Sequence, residues 1–314
     1  MAHSEAGSIA AAAVFLAGYS IYFTILTKLF AQRRIKWKSR YLFVYIHVIL
    51  RLCGMALGVA FSSMSWDNLD QRINVLIAYL VFAAEGYFSL VVCCFRFLIV
   101  WQENRFGVSN LEPKITKGTP FLERMRLNFR APMMGIHYAL IGANAIIISG
   151  SSILAGSLDS SDPDNTKQKE DKGKALRVAG TAIFLALVQV FAFVAISSYR
   201  KKGDRTLLLI LGTWPLLSVR GIYGILAVVI NAFSYYSASI YTDSGFSTTF
   251  VVGEHVLGTL MEWLSCGLLI ATHFSALSGG EELHESWGDA EKKDQDGTVV
   301  GDGDHLSKRR SSEV

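Results

Sequence analysis

Seven apolar stretches, each long enough to cross a bilayer as a helix, decide what this 314-residue chain can become. They cover residues 8–31, 40–62, 73–101, 132–156, 176–199, 206–233 and 248–277. At 1.5 Å of rise per residue each spans the roughly 30 Å hydrocarbon layer, and the third, sixth and seventh have length to spare for tilt. The runs are continuously apolar, without the alternation that a membrane β-strand needs. Composition agrees: 51% of residues are hydrophobic and 18% charged, too apolar for a water-facing surface or a disordered chain. The reading is an all-α, multi-pass membrane protein: a seven-helix domain over residues 1–277, then an acidic, disordered tail over 278–314.

Charge between the runs sets the expected orientation. One set of connections carries Arg33, Arg34, Lys36, Lys38, Arg105, Lys114, Lys117, Arg124, Arg126, Arg130, Arg200, Lys201, Lys202 and Arg205. The other set carries Arg72, Lys167, Lys169, Lys172 and Lys174, four of them among acids. Basic connections face the cytoplasm, so the N-terminus is expected outside and the C-terminal tail inside. The first run has no basic residues before it and an apolar core too long for a signal peptide, and it reads as a retained span. Net charge is +4, a mild basic balance that reflects topology with an acidic tail subtracted. It is not a nucleic-acid signal.

Several motifs stand outside the spans. Residues 121–130 alternate apolar and basic side chains, as a solvated basic loop or a segment lying on anionic headgroups would. Arg309-Arg310-Ser311-Ser312 resembles a basophilic kinase site, and Ser312-Glu313-Val314 a terminal-carboxylate ligand. The fourth run holds Gly135, Ala139, Gly142, Ala143, Ser149, Gly150, Ser152 and Gly156, small residues that suit close packing within the bundle or between protomers. Cys53, Cys93, Cys94 and Cys266 all lie in spans, where packing thiols are expected and a structural disulfide is not.

Ionisable residues deep inside apolar runs are the strongest functional signal, because each costs about 2.5–3.5 kcal/mol at a helix centre. Arg51, Glu85, Arg220 and Glu262 sit near the middle of the second, third, sixth and seventh runs, and their charges cancel. Arg96 lies toward the basic end of the third run, where it can snorkel, and Glu254 toward the other end of the seventh. Helical spacing gives each run a polar stripe: His47, Arg51, Gly54 and Gly58; Glu85, Ser89 and Arg96; Thr213, Arg220, Tyr223 and Asn231; His255, Gly258, Glu262, Cys266 and His273. Lipid penalises all four stripes unless they face one another, so spans two, three, six and seven are expected to enclose a polar interior. Two uses of it stand open. The arginines and glutamates form ion pairs that fix the helix arrangement, or they line a hydrated cavity for a small amphipathic molecule, with arginine meeting a carboxylate or anionic headgroup. Pro215 interrupts the sixth run near Arg220, and such breaks often line cavities.

Other chemistries are set aside. No lysine sits mid-span in the seventh run for a retinal Schiff base. The third run ends Phe95-Arg96-Phe97, and the seventh has no proline, unlike the commonest G-protein-coupled receptors. His47, His137 and His273 lie at similar depth, but no two share a helix as an intramembrane zinc hydrolase motif requires, so no enzyme activity, metal or cofactor is expected.

Trp214-Pro-Leu-Leu-Ser-Val-Arg220-Gly-Ile-Tyr223, Met261-Glu262 in the next run and Arg51-Leu-Cys-Gly54 in the second carry a family resemblance. They are similar to a fungal family of seven-helix integral membrane proteins without an assigned activity. Its hallmarks are Pro-x-Leu-x-Val-Arg-x-x-Tyr in the sixth helix, Met-Glu or a similar acidic site in the seventh and Arg-x-x-Gly in the second. The third run departs from that pattern with Glu85-Gly-Tyr-Phe-Ser-Leu90. The resemblance implies Arg51, Arg220 and Glu262 as signature positions and a distant topological likeness to lipid-translocating exporter-like and receptor-like seven-helix proteins. The functional expectation is a protein that handles a small amphipathic or lipid-like molecule, or else a receptor-like sensor. Its partners would be the lipid bilayer and such a ligand, with a cytoplasmic partner on the basic loops or tail, no nucleic acid, and oligomeric state open.

Overall fold

A computed structural model describes residues 6–64, 69–112, 120, 122–123, 126, 131–157, 163–242 and 245–278. Six α-helices come first: α1 Ala6–Ala31, α2 Tyr41–Ser63, α3 Leu69–Phe106, α4 Pro132–Ser157, α5 Pro163–Lys202 and α6 Arg205–Val229. The seventh, α7, is one rod in three pieces: α-helical Thr248–Val252, π-helical Gly253–Leu260 and α-helical Met261–Ser278. All seven contain a segment long and apolar enough to span a membrane. The protein is an integral, multi-pass membrane protein of the all-α, seven-helix class. The acidic tail, the motifs at its end and most of the basic segment 121–130 lie outside the described residues.

α5 and α6 depart from their expected bounds for local reasons. α5 begins thirteen residues before its apolar run, at Pro163, a residue pre-set for the first helical position. Its polar extension is rich in Lys, Gln and Glu, good helix formers, and Glu170 pairs with Lys174 one turn on at 2.5 Å. α6, by contrast, ends at Val229, short of the expected 233, and the chain turns into a 3-10 segment at Asn231–Phe233. The start of α6 is fixed by Asp204, whose carboxylate accepts from the Leu207 N–H at 2.7 Å and from Trp101 Nε1 of α3 at 2.9 and 3.0 Å.

Consecutive helices pack side by side, and α3 touches every helix from α2 to α7. It forms the axis of the bundle: Leu90, Cys93, Phe95, Phe97, Leu98 and Ile99 are completely buried. Large apolar side chains such as Val14, Ile21, Phe193, Leu208, Ile222 and Phe274 point outward on the outer helices. That surface suits lipid and not water. The small residues of α4 serve packing inside the bundle at Ala143 and Gly150. A Cβ at Gly180 would sit 2.7 Å from the Ala143 carbonyl, and one at Gly150 would sit 2.8 Å from the Gly173 carbonyl. The backbones of α4 and α5 touch because nothing stands between them. Gly135 and Gly142 meet nothing within 4 Å. The four cysteines are free.

The α1–α2 and α5–α6 connections and the end of α7 lie at one end of the bundle. The other end is closed by the α6–α7 connection, which folds back through a two-residue antiparallel ladder, Tyr241–Thr242 with Gly245–Phe246. Its aromatic side chains lock into the helices. Tyr235 stands edge-on to Phe250 at 4.6 Å and to Tyr79 at 5.9 Å, Phe246 stacks on Phe61 at 5.9 Å, and the Tyr236 hydroxyl donates to the Ser151 carbonyl at 3.2 Å.

Candidate functional site

Three of the four mid-span charges meet at one carboxylate. Glu262 of α7 is 0% exposed and accepts from Arg220 Nε of α6 at 2.5 Å. Its other oxygen lies 3.1 Å from Arg51 Nε of α2, an ion-pair distance without the alignment of a hydrogen bond. Each arginine also rests on an aromatic face: Arg51 is 5.8 Å from the Tyr19 ring of α1, and Arg220 is 5.3 Å from the Tyr87 ring of α3. Gly86 makes room for this arrangement, since a Cβ there would stand 2.6 Å from Arg51 Cδ. One buried anion thus ties α2, α6 and α7 together.

Glu85 is not part of this group. The expected second pairing, between Glu85 and an arginine, is replaced by a 2.5 Å hydrogen bond from Asn144 Nδ2 of α4. The polar stripe of α3 splits three ways. Glu85 faces α4, the Ser89 hydroxyl meets His47 Nδ1 of α2 at 2.9 Å, and Arg96 pairs with Glu112 of the α3–α4 connection at 2.9 Å. Residues 85, 89 and 96 sit close enough in angle to look like one face, yet α3 has neighbours all round, so each finds a different partner. His47 is buried below the arginines, edge-on to Tyr19 at 6.2 Å. Asn231, expected on the sixth stripe, is exposed in the 3-10 turn after α6 and takes no part in the interior.

The second acid of the interior is Glu254, which position alone placed near a helix end. Its two oxygens accept from the Tyr79 hydroxyl of α3 and the Tyr223 hydroxyl of α6, each at 3.0 Å. Next to it His255 is also turned inward and stacks on Phe15 of α1 at 5.8 Å. An α-helix would aim these neighbours about 100° apart; i→i+5 bonding widens the turn and lets both face the interior. The buried Tyr235 hydroxyl completes this layer. Burial first, and the Glu254 charge second, push its phenol well above the ordinary 10, which keeps it a neutral donor.

Between α3, α4, α5 and α6 lies a cavity of about 70 Å³, roofed by Phe233 and Tyr235 of the α6–α7 connection. Its charged lining is Arg220, Arg177 of α5 and Glu254. Among the described residues Arg177 has no carboxylate within ion-pair distance; its guanidinium lies 5.8 Å from the Tyr236 ring. Tyr223 and Thr181 add hydroxyl groups, and a smaller space of about 10 Å³ lies beside His255 and Tyr79. At about 10–15 Å³ per ordered water, the larger cavity holds several waters or one small polar group, and the smaller one water at most. Sequence reasoning missed Arg177 because it stands in the first turn of its apolar run, where a charge is cheap. Its place one turn from Gly150-facing Gly173 is visible only once α4 and α5 are packed.

Among the described residues no three His, Cys, Asp or Glu side chains gather as a metal centre requires. His47, His137 and His273 are not a set: His47 bonds Ser89, and His273 stands beside Tyr41 at the basic end. Compared with family models, curated proteins and solved structures, the chain matches none.

Proposed function

We propose that this membrane protein binds a small amphipathic molecule whose polar end enters the cavity beside Arg220. The observation that carries the reading is the cationic lining of the cavity, with Arg220 at mid-span and Arg177 at its outer edge. Among the described residues Arg177 and Arg220 face the space against the single carboxylate of Glu254, and Arg220 shares its buried counter-ion Glu262 with Arg51. Charged groups in lipid are expensive unless they are paired or used, and a carboxylate or phosphate on the ligand pairs them. The cavity takes a polar end and not a whole lipid, so the apolar portion stays with the helices or the bilayer. No catalytic step is part of this reading. Membership in the fungal seven-helix family, with Arg51, Arg220 and Glu262 as its signature positions and the basic loops in the cytoplasm, belongs to the same proposal.

Native mass spectrometry of the gently purified protein tests it. The expected result is a co-purified small molecule that is lost on Arg177→Gln while the thermal midpoint is preserved. An empty cavity in both forms, under conditions that keep annular lipid, overturns it. Arg220→Ala serves as the second variant, although it also breaks the pairing with Glu262.

A receptor-like reading has one specific support: Arg220 belongs both to the cavity and to the bond between α6 and α7. An anionic ligand that competes with Glu262 for Arg220 loosens that bond and shifts α6. Transport into reconstituted vesicles without any partner favours the carrier. Ligand-dependent capture of an effector on the basic end favours the sensor.

A further inference from the structure

A second group of polar atoms is buried without partners at the opposite, basic end of the bundle. Arg40 is the residue at the N-terminus of α2, 4% exposed, and no side chain caps this helix. Its guanidinium lies over two rings, 4.9 Å from the centroid of Phe97 and 5.3 Å from that of Tyr41. Among the described residues its hydrogen bonding is a long contact of 3.4 Å from Nη2 to the Tyr41 hydroxyl, and Nε has no partner. Beside it Ser39 is 2% exposed with an unpartnered hydroxyl. His273 of α7 is 1% exposed, stands 5.6 Å from the same Tyr41 ring, and has no partner at either ring nitrogen.

This is an unusual place to leave a charge unmatched. Among the described residues the other buried arginines each have a carboxylate: Arg51 has Glu262, and Arg96 has Glu112. Aromatic faces offset part of the desolvation of Arg40 but accept none of its in-plane N–H bonds. The missing component is an anion with several acceptor oxygens. It could take N–H from Arg40, O–H from Ser39 and N–H from His273, with the first-turn amides of α2 adding to the field.

The surroundings say where such an anion comes from. The α1–α2 connection carries exposed Arg33, Arg34, Lys36 and Lys38. In its middle Trp37 is 60% exposed and stacked on Phe30 at 4.6 Å, as an aromatic at the headgroup level of a bilayer stands. A basic connection anchored at that depth draws anionic lipid to its surface. We propose that Ser39, Arg40 and His273 form a binding site for the phosphate of an anionic phospholipid, at the membrane face lined by the basic connections. The site is independent of the cavity beside Arg177 and Arg220.

The test is thermal stability of the full chain in a neutral detergent, with added phosphatidylglycerol, phosphatidylcholine or inorganic phosphate. Phosphatidylglycerol is expected to raise the midpoint in a saturable way, and phosphatidylcholine and inorganic phosphate are not. Arg40→Gln is expected to weaken the phosphatidylglycerol effect about tenfold in concentration, the weight of one hydrogen bond to a charged group. Lys38→Gln, the same charge change on the exposed connection, should leave it intact. Ser39→Ala removes a donor with little change of volume, and it is expected to weaken retention of phosphatidylglycerol in native mass spectrometry even if Arg40→Gln fails to fold. Equal loss in Lys38→Gln overturns the site in favour of diffuse attraction, and full stabilisation by inorganic phosphate alone overturns the lipid as its ligand. No loss in either Arg40→Gln or Ser39→Ala overturns the proposal outright.

Discussion

Arg220 divides the interior into two unlike halves. On one side, toward α2 and α7, it meets Glu262, which is fully buried and already shared with Arg51. On the other, toward α4 and α5, it borders a cavity where Arg177 has no carboxylate among the described residues. The first half is packed and cross-linked; the second is open and positively charged. The difference teaches that mid-membrane charge does two jobs here. A buried carboxylate between two guanidinium groups holds three helices in register, because breaking it leaves an uncompensated charge. A guanidinium that borders a cavity without a partner is available to something else.

Removing the shared anion separates the halves most forcefully. Glu262→Gln leaves Arg51 and Arg220 facing each other without compensation, and a loss of about 3–5 kcal/mol is expected, enough to lower expression and the thermal midpoint in detergent. Charge reversal sharpens the assignment. Arg220→Glu destabilises, and adding Glu262→Arg should recover part of the loss; Glu85→Arg should recover none. Rescue by Glu85→Arg instead would mean that α3 turns residue 85 toward Arg220 and away from Asn144.

Gly86→Ala attacks the same half indirectly. A Cβ at 2.6 Å from Arg51 Cδ has no room while Arg51 is held by Glu262, and overpacking of this kind costs about 1–3 kcal/mol. The outcome to measure is the coupling with Arg51→Leu. In that background the alanine should be far better tolerated. Equal cost in both backgrounds would show that the contact with Arg51 does not matter.

How much of the fold and the site is legible in the sequence follows from the physics of lipid. Seven runs of sufficient length cannot hide, and Arg51, Arg220 and Glu262 had to turn inward wherever the helices went. Their convergence was readable; their stoichiometry was not. Which acid an arginine reaches depends on helix rotation and on neighbours, and α3 has a neighbour on every side, so Glu85 found Asn144. Glu254 was hidden by the π-helical turn, a backbone change with no residue signature as plain as proline's, and the straight-helix projection therefore put it off the face it occupies. Arg177 escaped notice because a charge in the first turn of a span is ordinary. Asn231 was over-read, because periodicity was carried past the point where α6 ends.

Glu85→Gln measures how different that third-helix acid is. Its carboxylate keeps one hydrogen bond from Asn144, which a glutamine oxygen can also accept, so a cost of about 1 kcal/mol or less is expected. A loss as large as that of Glu262→Gln would show a charge role at Glu85 that the geometry does not provide.

Arg177→Gln gives the smallest expected change in stability and the most telling one. The Arg177 stem packs where Gly150 leaves space, with a Cβ at Gly150 reaching 2.9 Å from Arg177 Cγ, and glutamine keeps most of that stem. What it removes is the charge beside the cavity and a 5.8 Å approach to the Tyr236 ring, together about 0.5–1 kcal/mol. If the open half is only a packing defect, nothing beyond that small shift occurs, and water fills the space in both proteins. If the open half receives the anionic end of a ligand, the ligand is lost while the thermal midpoint of the empty protein hardly moves. Stability and binding then part company at Arg177, whereas at Glu262 they fall together, and that contrast separates a framework charge from a recognition charge.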